Sequence, residues 1–135
     1  MSEWPAMDSS ETVVTKNAKG SVNDVVAKLG ELVQARGLKL FAIVDHSDEA
    51  RRAGLELRDT KVVIFGSPEA GTPAMQSVPL IGLDLPLKVL VWDDSGQTKV
   101  SYTAPGALAA RYHLGDELAQ PLAGIGPITD ALVNG

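Results

Sequence analysis

The spacing of apolar residues changes along the chain, and it predicts where the main helix lies. Between residues 21 and 37 apolar residues recur every three or four positions, as on one face of an amphipathic helix. Ser21 followed by Asp24 is typical of a helix start, because the hydroxyl accepts an otherwise unpaired backbone N–H. Gly37 is typical of a helix end. The apolar face consists of Val22, Val25, Val26, Leu29, Leu32 and Val33.

Five shorter stretches are rich in β-branched and other apolar residues and predict strands. They cover residues 11–16, 38–45, 61–65, 87–92 and 98–103. The polar residues around Ser95-Gly96 predict a hairpin turn between the last two strands. Pairing about this turn places Val91 opposite Val100. The face that we assign to the core carries Leu87, Val89, Val91, Val100 and Tyr102.

Capping signals predict shorter helices between and after these strands. Ser47 or Asp48 can cap a short helix that ends at Gly54. Thr72 and Pro73 form a cap and a first helical position, which predicts a brief helix up to Val78. Helical segments are also expected over residues 105–112 and 116–133.

The order of elements is strand, helix, four strands and helix, with two short helical insertions. This order favours an α+β fold with a single antiparallel sheet of about five strands and the main helices on one face. We expect one domain over residues 11–135, preceded by a flexible arm over residues 1–10.

The predicted sheet has more apolar surface than two helices can cover. Phe41, Ile43, Leu90 and Trp92 lie on its uncovered side, and burial of each would contribute roughly 1.5–3 kcal/mol. Contiguous apolar patches usually mark an interface. We therefore expect a homodimer, or the connection over residues 67–86 folded across this side, or both.

Composition and charge exclude several classes of function. The chain has 17 acidic and 12 basic residues, a net charge of −5 and no cysteine. Its cations are scattered, which argues against a nucleic-acid partner. No signal-peptide pattern is present, and no apolar run approaches the roughly 20 residues of a membrane span. We expect a cytoplasmic protein without a membrane contact or a cofactor.

Three stretches of the sequence resemble a known family. These are LKLFAIVDHS, AGLELRDTKVVIFGSPEAGTPAM and GLDLPLKVLVWDD. They resemble domain of unknown function family 302, from about Val13 to Leu114. The resemblance implies a small α+β fold, often dimeric, with no established activity and no catalytic residues to transfer. Ser67 stands where the family usually has Asn, and Asp59 stands where it usually has Pro.

The connection after the third strand is the candidate ligand site, because glycines and prolines fix its course. An apolar pocket with a few polar groups is the usual form of a small-molecule site. The alternative is ordinary packing of a core or of a dimer. The predicted ligand-binding residues are His46, Gly66, Ser67, Gly71, Thr72, Met75 and Trp92.

Other chemistry has weaker support in the sequence. Gly66 and Gly71 have the spacing of a phosphate-binding loop, but Thr72 replaces the required Lys and Glu69 adds negative charge. A smaller anion at a helix start at Thr72 stays open. The two histidines, His46 and His113, lack metal-ligand spacing, so no metal site is predicted.

These observations favour a dimeric, non-catalytic domain that binds a small ligand or another protein. The alternative is a small enzyme in which His46 is the general acid or base. A third interpretation is a purely structural domain that contacts another protein through its sheet.

Overall fold

Five strands form one antiparallel sheet in the computed structural model, which describes residues 12–135. They are β1 (Val13–Ala18), β2 (Lys39–Asp45), β3 (Thr60–Gly66), β4 (Leu87–Asp94) and β5 (Gln97–Thr103). Their order across the sheet is β1-β5-β4-β3-β2. The expected arm over residues 1–10 lies outside the described residues.

Six helices and two 3-10 turns connect and follow the strands. The helices are α1 (Val22–Ala35), α2 (His46–Arg52), α3 (Pro68–Ser77), α4 (Pro105–Arg111), α5 (Asp116–Ala119) and α6 (Ile125–Asn134). The 3-10 turns cover Pro79–Leu83 and Gln120–Gly124. The predicted α+β class with one antiparallel five-stranded sheet is confirmed.

Helices α1 and α6 pack on one face of the sheet and form the main core with it. Val63, Val89, Val91 and Val100 on the central strands are 0% exposed. Val91 pairs with Val100 as the hairpin pattern predicted. The helices contribute Val25, Leu29, Val33, Ile125, Ile128 and Leu132 to the same cluster.

Both ends of α1 follow the local sequence. The Asp24 N–H donates to Ser21 Oγ at 3.0 Å, and the Ser21 N–H donates to Asp24 Oδ2 at 3.2 Å. This reciprocal pair is a capping box. At the other end Gly37 has φ +70°, and the Leu38 N–H donates back to the Val33 carbonyl. The helix therefore ends in a left-handed turn that glycine adopts without strain.

Two helix starts differ from the prediction. Asp45 caps α2 instead of Ser47 or Asp48, because its Oδ1 accepts both the Asp48 N–H at 2.9 Å and the Ser47 hydroxyl at 2.8 Å. Helix α3 begins at Pro68, four residues before the predicted cap at Thr72.

The earlier start of α3 has a local cause. Ser67 follows directly on β3, its Oγ accepts the Ala70 N–H at 3.3 Å, and Pro68 occupies the first helical position. Proline suits that position because its missing N–H would have no partner there. Pro73 then lies inside the helix rather than at its start.

The crossover segment, residues 67–86, packs against the C-terminal part of the chain. Ala74, Ile81 and Leu122 form a second buried cluster, which Leu85, Leu87, Tyr112 and Leu114 flank. None of the apolar residues on the other side of the sheet belongs to this cluster. The expectation that residues 67–86 cover that side is therefore not met.

The side of the sheet opposite α1 and α6 carries Val62, Ile64, Leu90 and Trp92, which we call the open face. These side chains are partly buried. Trp92 Nε1 donates to Ser101 Oγ at 3.0 Å.

Four exposed apolar residues lie on the edge strand β2. They are Leu40, Phe41, Ile43 and Val44, which are 42%, 44%, 44% and 36% exposed. Ile43 pairs with Val63, whose side chain belongs to the main core, so Ile43 lies on the helix-covered side and not on the uncovered side as predicted. Phe41 lines the cavity described below. Of the four residues predicted on the uncovered side, the open face carries Leu90 and Trp92.

Replacing Leu29 with Ala should lower the free energy of unfolding by about 2–5 kcal/mol, because the fully buried side chain leaves a cavity. Leu80→Ala is the matched control, since Leu80 is 68% exposed and its loss should change stability by less than about 0.5 kcal/mol. Urea unfolding of both variants measures the difference. Equal losses would contradict the assignment of the core.

Candidate functional site

An apolar cavity of about 530 Å³ lies at the end of the sheet where β2 begins and β3 ends. It occupies the junction between the main core and the second cluster. Its lining comprises Arg36, Leu38, Phe41, Phe65, Gly66, Ser67, Pro68, Ala70, Gly71, Thr72, Met75, Leu85, Pro86, Leu87, Pro121, Leu122, Gly124, Ile125 and Ile128.

The floor and the rim of the cavity differ in exposure. The floor is formed by fully buried apolar side chains, namely Phe65, Leu122, Ile125 and Ile128. The rim is formed by exposed residues, namely Arg36, Phe41, Pro68, Thr72, Met75 and Pro121. The cavity therefore opens to solvent on one side and is closed by hydrocarbon on the other.

Two glycines line the cavity without contributing side chains. A Cβ atom on Gly71 would lie 3.6 Å from Leu85 Cδ1, and one on Gly66 would lie 3.5 Å from Pro86 Cβ. Leu87 packs against both clusters and links the two sides of the cavity. The hollow thus arises because two separate apolar clusters meet where side chains are small.

The structure brings five of the seven predicted ligand residues to this cavity. Gly66, Ser67, Gly71, Thr72 and Met75 all line it. These five come from the end of β3 and from α3.

His46 and Trp92 do not line the cavity. His46 follows the far end of β2, about 20 Å from the cavity, since a strand rises roughly 3.4 Å per residue. Trp92 lies on the open face, with Lys99 Nζ 5.8 Å from its ring centre. The structure places these two residues outside the cavity, because both lie near the start of β3 and the cavity lies at its end.

An acid–base role for His46 gains no support from its surroundings. The side chain is exposed, and within residues 12–135 no hydrogen bond reaches its imidazole. Neighbouring Asp45 bonds instead to Ser47 and to the Asp48 N–H. These contacts, the Asp48 N–H first, lower the pKa of Asp45. Asp45 and Ser47 therefore stabilise the start of α2, and His46 is the first residue of that helix.

The start of α3 offers few donors to an anion. Pro68 has no N–H, and the Ala70 and Gly71 N–H groups both donate to the Ser67 carbonyl. Thr72 lies within the helix, so it does not provide the helix start at which a smaller anion stayed open as an alternative.

A polar latch holds the crossover segment beside the cavity. The Tyr112 hydroxyl donates to Asp84 Oδ2, and Arg111 Nη1 donates to the same oxygen at 3.1 Å. The hydrogen bond from Tyr112, followed by the contacts of Arg111, lowers the pKa of Asp84. The latch joins the end of the 3-10 turn at Pro79–Leu83 to the C-terminal end of α4.

The described residues contain no cluster of side chains that could bind a metal ion. Within residues 12–135 no three His, Asp or Glu side chains lie close enough together to hold an ion. Arg36 is the one charged residue among those that line the cavity in this part of the chain. The cavity can therefore hold an apolar group, with one cation at its rim.

Sequence reasoning missed the residues that come from other parts of the chain. They are Arg36 and Phe41 on the rim, and Leu122, Ile125 and Ile128 on the floor. The glycines and prolines of residues 121–127 signalled an irregular segment, but the sequence does not show that this segment meets β3.

The sequence model described as "Domain of unknown function DUF302" matches residues 14–132. The chain belongs to this family. The crystal structure titled "uncharacterized conserved protein DUF302 from Bacillus stearothermophilus" is similar with a TM-score of 0.77 at 19% identity. The match covers 90% of this chain and 95% of that one, and it supports the DUF302 fold.

Curated proteins from Brucella are also similar to this DUF302 chain. The "Fluoride-specific ion channel FluC 1" proteins of Brucella suis biovar 1 and Brucella abortus biovar 1 are each 37% identical over 115 residues. The match covers 83% of this chain, but only 45% and 43% of those proteins. The chain thus spans less than half the length of these relatives.

Within residues 12–135, every helix is too short or too polar to cross a bilayer.

Replacing Asp84 with Asn should lower the free energy of unfolding by about 1–3 kcal/mol near neutral pH, because two charge-assisted hydrogen bonds are weakened. The pKa of Asp84 is lowered in the folded state, so its contribution is present above the unfolded pKa of about 4 and is lost as the pH falls below that value. Urea unfolding from neutral to acidic pH should show the two proteins converging.

Asp94→Asn is the control for this measurement, since Asp94 forms a surface ion pair with Lys99 away from the cavity. Its loss should cost clearly less stability than the loss of the Asp84 carboxylate, because solvent screens a surface ion pair. An Asp84→Asn penalty that stays constant into acid would contradict the role of the latch carboxylate.

Proposed function

We propose that this DUF302 protein is a non-catalytic binding protein for small apolar molecules. The observation that carries the proposal is the hydrocarbon-floored cavity of about 530 Å³. Sites for small molecules are usually preformed hollows of about 300–1,000 Å³ with apolar walls and few polar groups. Both the size and the lining of this cavity match that description.

The lining also favours binding over catalysis. Among the residues of the described part that line the cavity, there is no His, Asp or Glu to transfer a proton. The Ser67 hydroxyl already accepts the Ala70 N–H. An acid–base reaction needs a group of suitable pKa within hydrogen-bonding reach of the substrate, and the cavity offers none of the usual carboxylate or imidazole groups.

Binding can be measured with 1-aminoanthracene, an uncharged fluorescent probe. The wild-type protein should raise its fluorescence in a saturable way. Gly71→Leu should abolish this signal, because the new side chain occupies the space beside Leu85 and Met75. Gly30→Leu is the matched control, since a Cβ at Gly30 meets nothing within 4 Å.

The binding proposal fails if the probe does not bind, or if Gly30→Leu and Gly71→Leu reduce binding equally. Far-UV circular dichroism and thermal unfolding show that both variants are folded. A filled cavity is expected to keep or raise the melting temperature of Gly71→Leu while it removes the probe site.

We infer further that the chain forms a homodimer through the β2 edge. β2 is the last strand of the sheet, so one row of its backbone N–H and C=O groups is left without a partner strand within the described residues. Its Leu40, Ile43 and Val44 side chains are all more than a third exposed. Edges of this kind pair readily with another strand. Two antiparallel copies of β2 would satisfy both the backbone and the apolar side chains.

Ile43→Lys should convert the dimer to a monomer in sedimentation velocity at micromolar concentration, because it places charge at the centre of the edge. Leu83→Lys is the control, since Leu83 is 78% exposed and belongs to the crossover segment. A wild-type protein that sediments as a monomer, or a dimer that survives Ile43→Lys, would contradict this inference.

A second candidate function follows from the Brucella relatives. In those proteins a region similar to this chain accompanies a longer stretch that the chain does not match. We infer that such a domain acts beside a membrane channel and modulates it, with the cavity as the place where a ligand is sensed.

A chimaera tests this candidate. Residues 14–132 replace the matched 115-residue region in the Brucella suis relative, and fluoride efflux from proteoliposomes is compared with that of the intact relative and of a version lacking the region. Restoration of a flux that the deletion alters supports the channel-linked role. A deletion without effect on flux would argue against it.

A further inference from the structure

We propose that the ligand of this cavity is an amphipathic anion, with an apolar chain or ring system on the floor and a carboxylate or similar anionic group held at the rim by Arg36. This inference rests on the proposed binding function and specifies the class of ligand.

The first support is the charge of the lining. Arg36 lines the cavity, and no acidic residue of the described part lines it with Arg36. Glu69, which lies between two lining residues on α3, is exposed and is not part of the lining. The chain as a whole has a net charge of −5. The one charged residue of the lining within the described residues is therefore a cation, although the chain as a whole is acidic.

The second support is that, within the described residues, the Arg36 guanidinium forms no ion pair and is not needed to cap a helix. No carboxylate of residues 12–135 lies within 4.0 Å of its guanidinium. The guanidinium is not needed to cap α1 either. The Gly37 and Leu38 N–H groups already donate to the Gln34 and Val33 carbonyls.

A second cation lies next to the rim. Lys39 Nζ is 5.3 Å from the ring centre of Phe41, and Phe41 is a rim residue. Arg36 and Lys39 thus lie on the same short stretch of chain as the lining residues Leu38 and Phe41. Two positive charges beside an apolar hollow match a molecule with a hydrocarbon body and an anionic end.

The apolar floor of the cavity recognises the hydrocarbon part of the ligand. This floor is fully buried, so a hydrocarbon chain loses contact with water when it enters. An anionic end cannot follow it there without a large desolvation cost. The charged end must therefore stay at the rim, where Arg36 lies.

Decanoate and 1-decanol separate the ionic contribution from the apolar one, because they share a hydrocarbon chain and differ in the charge of the end group. Their dissociation constants can be measured by displacement of 1-aminoanthracene. Arg36→Gln should raise the Kd for decanoate by about tenfold or more and leave the Kd for 1-decanol within about twofold.

Two further variants complete the design. Arg36→Lys should restore most of the affinity for decanoate, because it keeps the charge. Arg58→Gln makes the same change in net charge just before β3, at the end of the sheet away from the cavity, and should leave both ligands unaffected. Circular dichroism of each variant shows whether it is folded.

The outcomes discriminate between the two proposals. If both ligands displace the probe and Arg36→Gln changes neither Kd, the ionic inference is wrong and the apolar binding function stands. If Arg36→Gln weakens both ligands equally in a folded protein, Arg36 shapes the cavity instead of binding an anion. If neither ligand nor the probe binds, the binding function fails and this inference fails with it.

Discussion

The structure depends on one constraint: two helices bury one face of a five-stranded sheet along its central strands. Leu29 and Val33 on α1, and Ile128 on α6, close over valines of β3, β4 and β5 that are 0% exposed. Each Å² of apolar area that this contact buries contributes roughly 25 cal/mol, and the cluster that it forms includes most of the fully buried side chains of the described residues.

The cavity forms at the end of the sheet beyond the part that α1 and α6 cover. Beyond Phe65 the sheet end is covered by the crossover segment and the turn at Gln120–Gly124, which form their own cluster. Two apolar clusters that meet at glycines do not fill all the space between them. The hydrogen bond between Asp84 and Tyr112 then holds the crossover segment, which forms one wall of the cavity. The folded chain therefore contains the cavity before any ligand binds. A preformed apolar site of this kind loses little free energy to reorganisation when a ligand enters.

Local signals in the sequence were sufficient for much of this architecture. The α1 helix, the hairpin register and the core face of β4 follow from residues close together in the chain. Gly66, Ser67, Gly71, Thr72 and Met75 could be predicted as neighbours for the same reason, since they lie at the end of β3 or follow it closely in the sequence. The cap of α2 and the start of α3 were misplaced, because several neighbouring Ser, Thr and Asp residues competed for the same role.

Contacts between distant segments could not be derived in that way. The sequence groups His46 and Trp92 with the loop because they are close to strand ends. Neighbouring antiparallel strands run in opposite directions, however, so the C-terminal ends of β2 and β4 lie at the opposite end of the sheet from the end of β3. The floor residue Ile128 and the rim residue Arg36 join the site only through packing of α6 and α1 at the end of β3. No spacing rule connects residues 36, 66 and 128.

The most direct test of the central claim is a methyl NMR titration of the protein with 1-aminoanthracene. The account predicts that chemical shifts change for Met75, Leu122, Ile125 and Ile128, while those of Val62, Ile64 and Leu90 on the open face stay constant. Shifts confined to the open face or to the β2 edge, with the floor methyl groups unchanged, would contradict it.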